Sequence, residues 1–416
     1  MGLDGKILVM FRSMYTVVKS SVKHCNSFSD FFSISVGLRQ GLNNSPAMFA
    51  LFLEDLELFL QDRVNCGLSI FDLCVMLLCF ADDMIIVGNS TEDLQKSLNR
   101  LHQYCNRWGL EVNTTKTKIV VFRKRGRTLI NEKWFYNDSI LEVVDFFNYL
   151  GVTFNYTGSF ALNNQCMIGK ALKAMNVLFH SVNKFELKPS TAMQLFDAFV
   201  ASIINYACPI WGFTKSKDLE RIHLRYSKMI LGVRQNSCND AVYGELGRYP
   251  LYINRYVQIV KYWLKLINTE NIILKHVYQL AYEGCECGDH NWVRNVKVLL
   301  DDYGFSYIWR NPQNVHIKSF IMIFKQRVID CFCQKWYTDV QSNNVLNTVY
   351  VNIKDSFGEE KYLDIGMCKR LRQCITKIRI SSHNLRIQTG RFVSCVKVGR
   401  LKMSFISLLN VIDLTS

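Results

Sequence analysis

Hydrophobic positions first recur at helical spacing over 7–22, where Ile7, Leu8, Phe11, Met14, Tyr15 and Val18 share a face and Lys19 and Lys23 lie near the end. Recurrence every three to four residues predicts an amphipathic helix whose apolar stripe packs on the core that follows. Ser45 and Pro46 open a second helical run over 47–60, with Ser45 placed to cap the first turn and Pro46 where a missing N–H does no harm. The pattern then changes. Residues 73–87 are apolar except for Asp82 and Asp83 at their centre, which predicts a β-hairpin turning at the two aspartates. Ser90 or Thr91 caps a further helix whose Leu94, Leu98, Leu101, Cys105 and Trp108 form one apolar face. Residues 144–154 are strand-like again, and from Asn163 onward the helical pattern dominates through 170–179, 191–205 and 219–231.

This alternation predicts an α+β fold, an antiparallel sheet with packed helices, followed by a mostly α-helical region. A boundary is placed near 156, where mixed structure yields to helices, and a softer one at 236–240, where Asn and Asp punctuate the chain. The resulting segments are 1–155, 156–235 and 236–416. Residues 122–127 are basic and contain a glycine, and 393–416 carry no readable signal.

Charge adds a partner class. The chain has 50 Lys and Arg against 35 Asp and Glu, a net charge of +15. A basic groove gains free energy by releasing counterions from phosphates, so a polyanionic partner is expected beside the plainer reading of a soluble basic surface. Fifteen cysteines, an odd number without a repeating framework, fit reduced thiols in the nucleus or cytoplasm better than a secreted disulfide scaffold. Cys285, Cys287 and His290, and the pair Cys331 and Cys333, have a one-residue gap that is too short for ordinary structural zinc pairs. Nothing marks a signal peptide, Gly2 lacks the Ser or Thr that myristoylation requires, and the longest apolar run is too short and too interrupted to span a bilayer. No membrane role is expected.

The candidate chemistry lies in Phe80-Ala81-Asp82-Asp83. Two adjacent carboxylates repel each other and cost desolvation unless cations or water compensate them. Alone, the run reads as a solvated hairpin corner. Its neighbours change that reading: Val36-Gly37-Leu38-Arg39-Gln40-Gly41 and Ser45-Pro46 lie upstream. Downstream lie Gly109-Leu110-Glu111-Val112-Asn113-Thr114-Thr115-Lys116-Thr117-Lys118 and Tyr149-Leu150-Gly151-Val152. In this order and spacing the chain resembles the reverse transcriptases of non-LTR (LINE-type) retrotransposons. The resemblance extends through Tyr206-Ala207-Cys208-Pro209-Ile210-Trp211 and weakly to Ser381-Ser382-His383-Asn384-Leu385.

The resemblance implies a partial polymerase palm followed by a thumb-like helical region, and RNA-directed DNA synthesis with two divalent ions, Mg2+ or Mn2+. Its implied partners are an RNA template, a DNA primer and deoxynucleotides. Asp82 is the first metal ligand. Asp83 is the second catalytic and metal-binding carboxylate that the resemblance implies, although successive strand residues point to opposite faces and it need not contact the same ion. Arg39, Gln40 and Gly41, with Ser45 and Pro46, belong to the loop under the template base and incoming nucleotide, and Phe80 lies near the sugar. Lys116 acts near the leaving phosphate, with Lys118 as the nearby alternative, while Tyr149, Leu150 and Gly151 form the primer grip. Plainer readings stand beside these: an ion pair for Arg39, core packing for Phe80, a solvated turn for Lys116.

In the family, fingers and another aspartate-bearing strand precede this region. The chain is therefore expected to be truncated at its N-terminus and impaired alone unless a partner supplies the missing part. Asp30 and Asp55 sit in no matching motif. The competing expectations are a non-catalytic nucleic-acid-binding remnant and a helical interaction scaffold.

Overall fold

The computed structural model describes residues 5–34, 37–39, 41–61, 67–122, 132–185, 187–342 and 348–382. Gln40, most of the basic stretch at 122–127, His383 to Leu385 and the terminal 393–416 lie outside the described residues. Two compact units divide the chain, Met1–Val144 and Asp145–Ser416. The fold is α+β, with small, mostly antiparallel sheets in front and helices behind.

In the first unit, α1 (Gly5–Thr16) is shorter than expected, and none of its residues is buried. The Thr16 hydroxyl bonds back to Arg12 O at its end, and Lys19 and Ser20 then pair with Ser33 and Phe32 in an antiparallel ladder. Leu8, Phe11, Met14 and Tyr15 of the expected apolar face are half-buried, whereas Ile7 and, on the other side, Val9 and Met10 are exposed. The run expected over 47–60 is two helices, α2 (Ser45–Phe52) and α3 (Leu56–Gln61). Tertiary packing overrides the local pattern here. The bend at 53–55 brings Leu53, Leu56 and Leu60 into one core and places Asp55 Oδ1 2.6 Å from the Tyr104 hydroxyl that donates to it. Asp55 therefore has a structural task.

Strands β1 (Leu77–Phe80) and β2 (Asp83–Ile86) pair antiparallel, Phe80 opposite Asp83. Behind them runs α4 (Thr91–Trp108). Ser90 caps it by accepting from Asp93 N at 3.2 Å, and Gly109 ends it in the left-handed conformation, as its sequence signals. Its buried face, Leu98, Leu101, Tyr104 and Cys105, packs with Met76, Ile119, Trp134, Tyr136 and Leu141. Trp108 sits at the rim, edge-on to Phe52. A three-stranded sheet completes the unit: β3 (Lys118–Ile119), β4 (Trp134–Tyr136) and β5 (Ser139–Val143), in the order β4-β5-β3 with β3 parallel to β5. Gln95 on α4 serves as a surrogate strand partner, donating to Phe135 O and accepting from Phe135 N, both at 2.8 Å.

The second unit begins with a hairpin of β6 (Phe146–Tyr149) and β7 (Val152–Asn155), after which the described elements are helices apart from one isolated bridge between Leu246 and Glu359. Helices α5 (Ala161–Lys184) and α6 (Pro189–Phe196) lead to a π-helical turn at Asp197–Ala201, then α7 (Ser202–Ile204), α8 (Cys208–Trp211) and α9 (Lys217–Leu231). After α10 (Asn239–Leu246) comes α11 (Leu251–Ile267). One apolar cluster joins Ala171, Phe196, Trp211, Tyr226, Val233, Ala241 and Ile380, and another gathers Trp263, Val296, Trp309 and Phe324.

Polar groups are buried here too. Arg255 and His223 are fully buried, 3.9 and 3.8 Å from the Glu220 carboxylate, which accepts from the Tyr243 hydroxyl and from Tyr252 N. No helix among the described residues is long and apolar enough to cross a membrane.

Candidate active site

The β1–β2 turn has two central residues, Ala81 and Asp82, so Asp83 is the first residue of β2 and Asp82 alone occupies the crest. Ala81 has φ of +53° while Asp82 has no positive φ, so alanine stands in a two-residue hairpin turn where glycine is ordinarily preferred. Holding an L-residue there costs about 1–2 kcal/mol. Both carboxylates are exposed, and no described residue pairs with either. Phe80 is 61% exposed, so packing in a core does not account for it. The two acids offer hard oxygen donors that no described residue neutralises. Among the described residues no group of three or more His, Cys, Asp or Glu comes together.

Arg39 lies at the entry to α2. The Ser45 hydroxyl donates to Arg39 O at 2.7 Å, which corrects its expected role as helix cap: Asn44 holds the cap position and its side chain makes no capping bond. Pro46 does sit in the first turn. Gly41 adopts φ of +87°, a backbone state open to glycine at no steric cost. Arg39 Nε is buried with no partner among the described residues, so the plain ion-pair reading has no support there.

Lys116 stands in an Asx turn. Asn113 Oδ1 accepts from Lys116 N at 3.1 Å and from the Thr115 hydroxyl at 2.7 Å. The two candidate lysines are distinguished by their partners: Lys118 is ion-paired with Glu142, whereas Lys116 is exposed. These residues share one compact unit. No hydrogen bond or ion pair among the described residues joins the hairpin crest to Lys116 or to the Arg39 loop.

Tyr149, Leu150 and Gly151 belong to the second unit. Leu150 and Gly151 both have positive φ, +46° and +82°, giving a type I′ turn closed by Tyr149 opposite Val152. Its brace was invisible in the sequence: the Tyr206 hydroxyl donates to Leu150 O at 2.8 Å, and a Cβ on Gly151 would come within 3.0 Å of the Tyr206 ring. The motif from Tyr206 to Trp211 signalled importance but not this contact. The structure explains its composition: Trp211 Nε1 donates to Tyr206 O, Ala207 is left-handed, Pro209 stands in the first turn of α8, and Cys208 is fully buried.

Residues 3–154 match the family model of reverse transcriptase (RNA-dependent DNA polymerase). That match ends at the β6–β7 hairpin and includes every candidate residue discussed so far except Tyr206. An uncharacterised transposon-derived protein of Caenorhabditis elegans is 28% identical over 154 residues, 36% of this chain and 53% of its own length. The chain thus spans about half the length of that relative. The comparisons thus show similarity to reverse transcriptases over the N-terminal part of the chain and to one transposon-derived protein.

Proposed function

We propose that this chain carries the palm region of a non-LTR retrotransposon reverse transcriptase, and that its chemistry is template-directed transfer of a nucleotide to a primer 3′-oxygen. The observation that carries the reading is the Asp82 crest: an exposed, unpaired carboxylate on a strained two-residue turn inside the family-matched segment. Strain of this kind persists where surrounding structure and function hold it.

Asp82 holds Mg2+ or Mn2+, and Asp83 keeps the crest acidic from the opposite face. The chemistry such an ion supplies when bound is activation of the attacking oxygen and neutralisation of the leaving pyrophosphate. Arg39 meets phosphate, with Gly41 allowing close backbone approach and Ser45 and Pro46 fixing the loop onto α2. Phe80 stacks near the sugar. Lys116 offers its ammonium to the leaving phosphate as charge or proton donor. The Tyr149–Gly151 turn holds the primer. A clamp on two ions takes a carboxylate from a strand separate from this hairpin.

Primer extension on an RNA template with Mg2+ or Mn2+ tests the reading. Extension that Asp82→Ala removes upholds it. Salt-dependent RNA binding without extension, even with an added aspartate-bearing segment, favours a non-catalytic nucleic-acid-binding protein, which the +15 charge also fits. Absence of both leaves a helical interaction scaffold.

A further inference from the structure

We propose that a cavity in the second unit, bounded by Asp197, Ser202, Asn205, Tyr206, Asn254 and Gln258, receives an unpaired nucleobase of a bound strand; the inference rests on the nucleic-acid reading above. The cavity measures about 510 Å³, within the ~300–1,000 Å³ typical of small-ligand sites. It adjoins the β6–β7 turn through Tyr206, whose hydroxyl is committed to Leu150 O.

Three features give the cavity its chemistry. The backbone along one side is irregular: the π-helical turn Asp197–Ala201 widens the helix just before Ser202, and Ala207 takes φ of +50°. Such π turns often mark functional sites. Tyr206 is held at three points, its N donating to Ile203 O, its O accepting from Trp211 Nε1 and its hydroxyl bonded to Leu150 O. Yet it remains 49% exposed, so the ring is a fixed aromatic face of the kind on which bases stack.

The polar lining is amide and hydroxyl apart from the one carboxylate of Asp197. Asn254 and Gln258 lie one turn apart on α11, Asn205 Oδ1 is buried without a partner, and Gln258 Oε1 accepts from the Cys208 thiol at 3.0 Å, which leaves its amide N–H groups for a ligand. Burial pushes the Cys208 thiol up to about 12, so it stays a donor. Asp197 is paired with Arg248, and no lysine or arginine lines the cavity. Amides without cations match the edge of a base and not a phosphate.

The test uses the full chain with short single-stranded RNA and DNA oligonucleotides carrying the fluorescent base 2-aminopurine at successive positions. The expected result is quenching at one position, in the RNA or the DNA arm, and weaker binding of the oligonucleotide that carries an abasic residue at that position. Tyr206→Leu should weaken binding by about 5- to 100-fold, as loss of one stacked base does, while Tyr206→Phe keeps the quenching. The pair Asn254→Ala and Gln258→Ala, on the surface of a long helix, should lower affinity and blunt quenching without touching the hairpin brace. Binding that is position-independent, or unchanged in Asn254→Ala/Gln258→Ala, overturns this inference and leaves the nucleic-acid reading intact. Failure of the unaltered chain to bind either oligonucleotide at low salt overturns both.

Discussion

Two tight turns of nearly the same construction serve opposite purposes in this protein. The β1–β2 turn and the β6–β7 turn each have two central residues, and each forces a non-glycine residue, Ala81 or Leu150, into positive φ. The first has no partner among the described residues. The second is pinned by the Tyr206 hydroxyl and packed against its ring at Gly151. Strain balanced by internal contacts marks a structural fixture. Strain without such contacts among the described residues, beside an exposed carboxylate, has no structural fixture to explain it.

The largest expected effect lies beneath the braced turn. Arg255 is fully buried, close behind Gly212 and beside Glu220, so Glu220→Ala leaves a buried guanidinium unpaired and should cost about 3–5 kcal/mol, read as faster hydrogen exchange in α9 and α11. The same carboxylate sets an acid limit. Burial alone would raise its pKa, but the electrostatic pull of His223, 3.8 Å away, and of Arg255 outweighs that and holds it below the ordinary 4.5. A pKa depressed in the fold contributes stability above the unfolded value and loses it as pH falls through the folded one. The second unit should therefore loosen below 4.5. A Glu220→Gln chain that shows the same acid limb would refute this account.

Gly151→Val comes next. It places a branched side chain at φ of +82° and against the Tyr206 ring, and should destabilise the hairpin by about 2–4 kcal/mol in denaturant titrations. Tyr206→Phe removes one hydrogen bond and should cost about 1 kcal/mol, confined to exchange at the β6–β7 amides. At the acidic turn, Ala81→Gly should stabilise by up to about 1 kcal/mol by relieving strain. The smallest stability change belongs to Asp82→Asn, within about 0.5 kcal/mol, although Mn2+ binding measured by paramagnetic broadening should disappear. A large loss of stability in Asp82→Asn would erase the contrast between the turns.

Local signals were legible where one side chain decides the outcome. Ser90 and Gly109 bound α4 because capping depends on a hydroxyl and on a residue free to turn left-handed. Alternation around the two aspartates marked the hairpin, though not that Asp82 alone is the crest. What failed did so for tertiary reasons. Residues 47–60 have unbroken helical spacing, yet the chain bends at 53–55 so that Leu53 and Leu56 can meet the core and Asp55 can meet Tyr104. Ser45 looked like a cap, and its hydroxyl instead joins Arg39 O. Lys116 and Lys118 were interchangeable until Glu142, on a strand far along the sequence, engaged one of them.

The sequence by itself determined the family-matched segment, the caps of α4 and the acidic corner, because these depend on residue type and spacing within a few positions. Only the tertiary structure decided that Tyr206 braces the Leu150–Gly151 turn from 56 residues away, that Arg255 and His223 are buried beside Glu220, and that Asp82 stays unpaired. Partners distant in sequence meet only when the whole chain packs, and no local periodicity encodes which polar atom is left over once the apolar faces have closed.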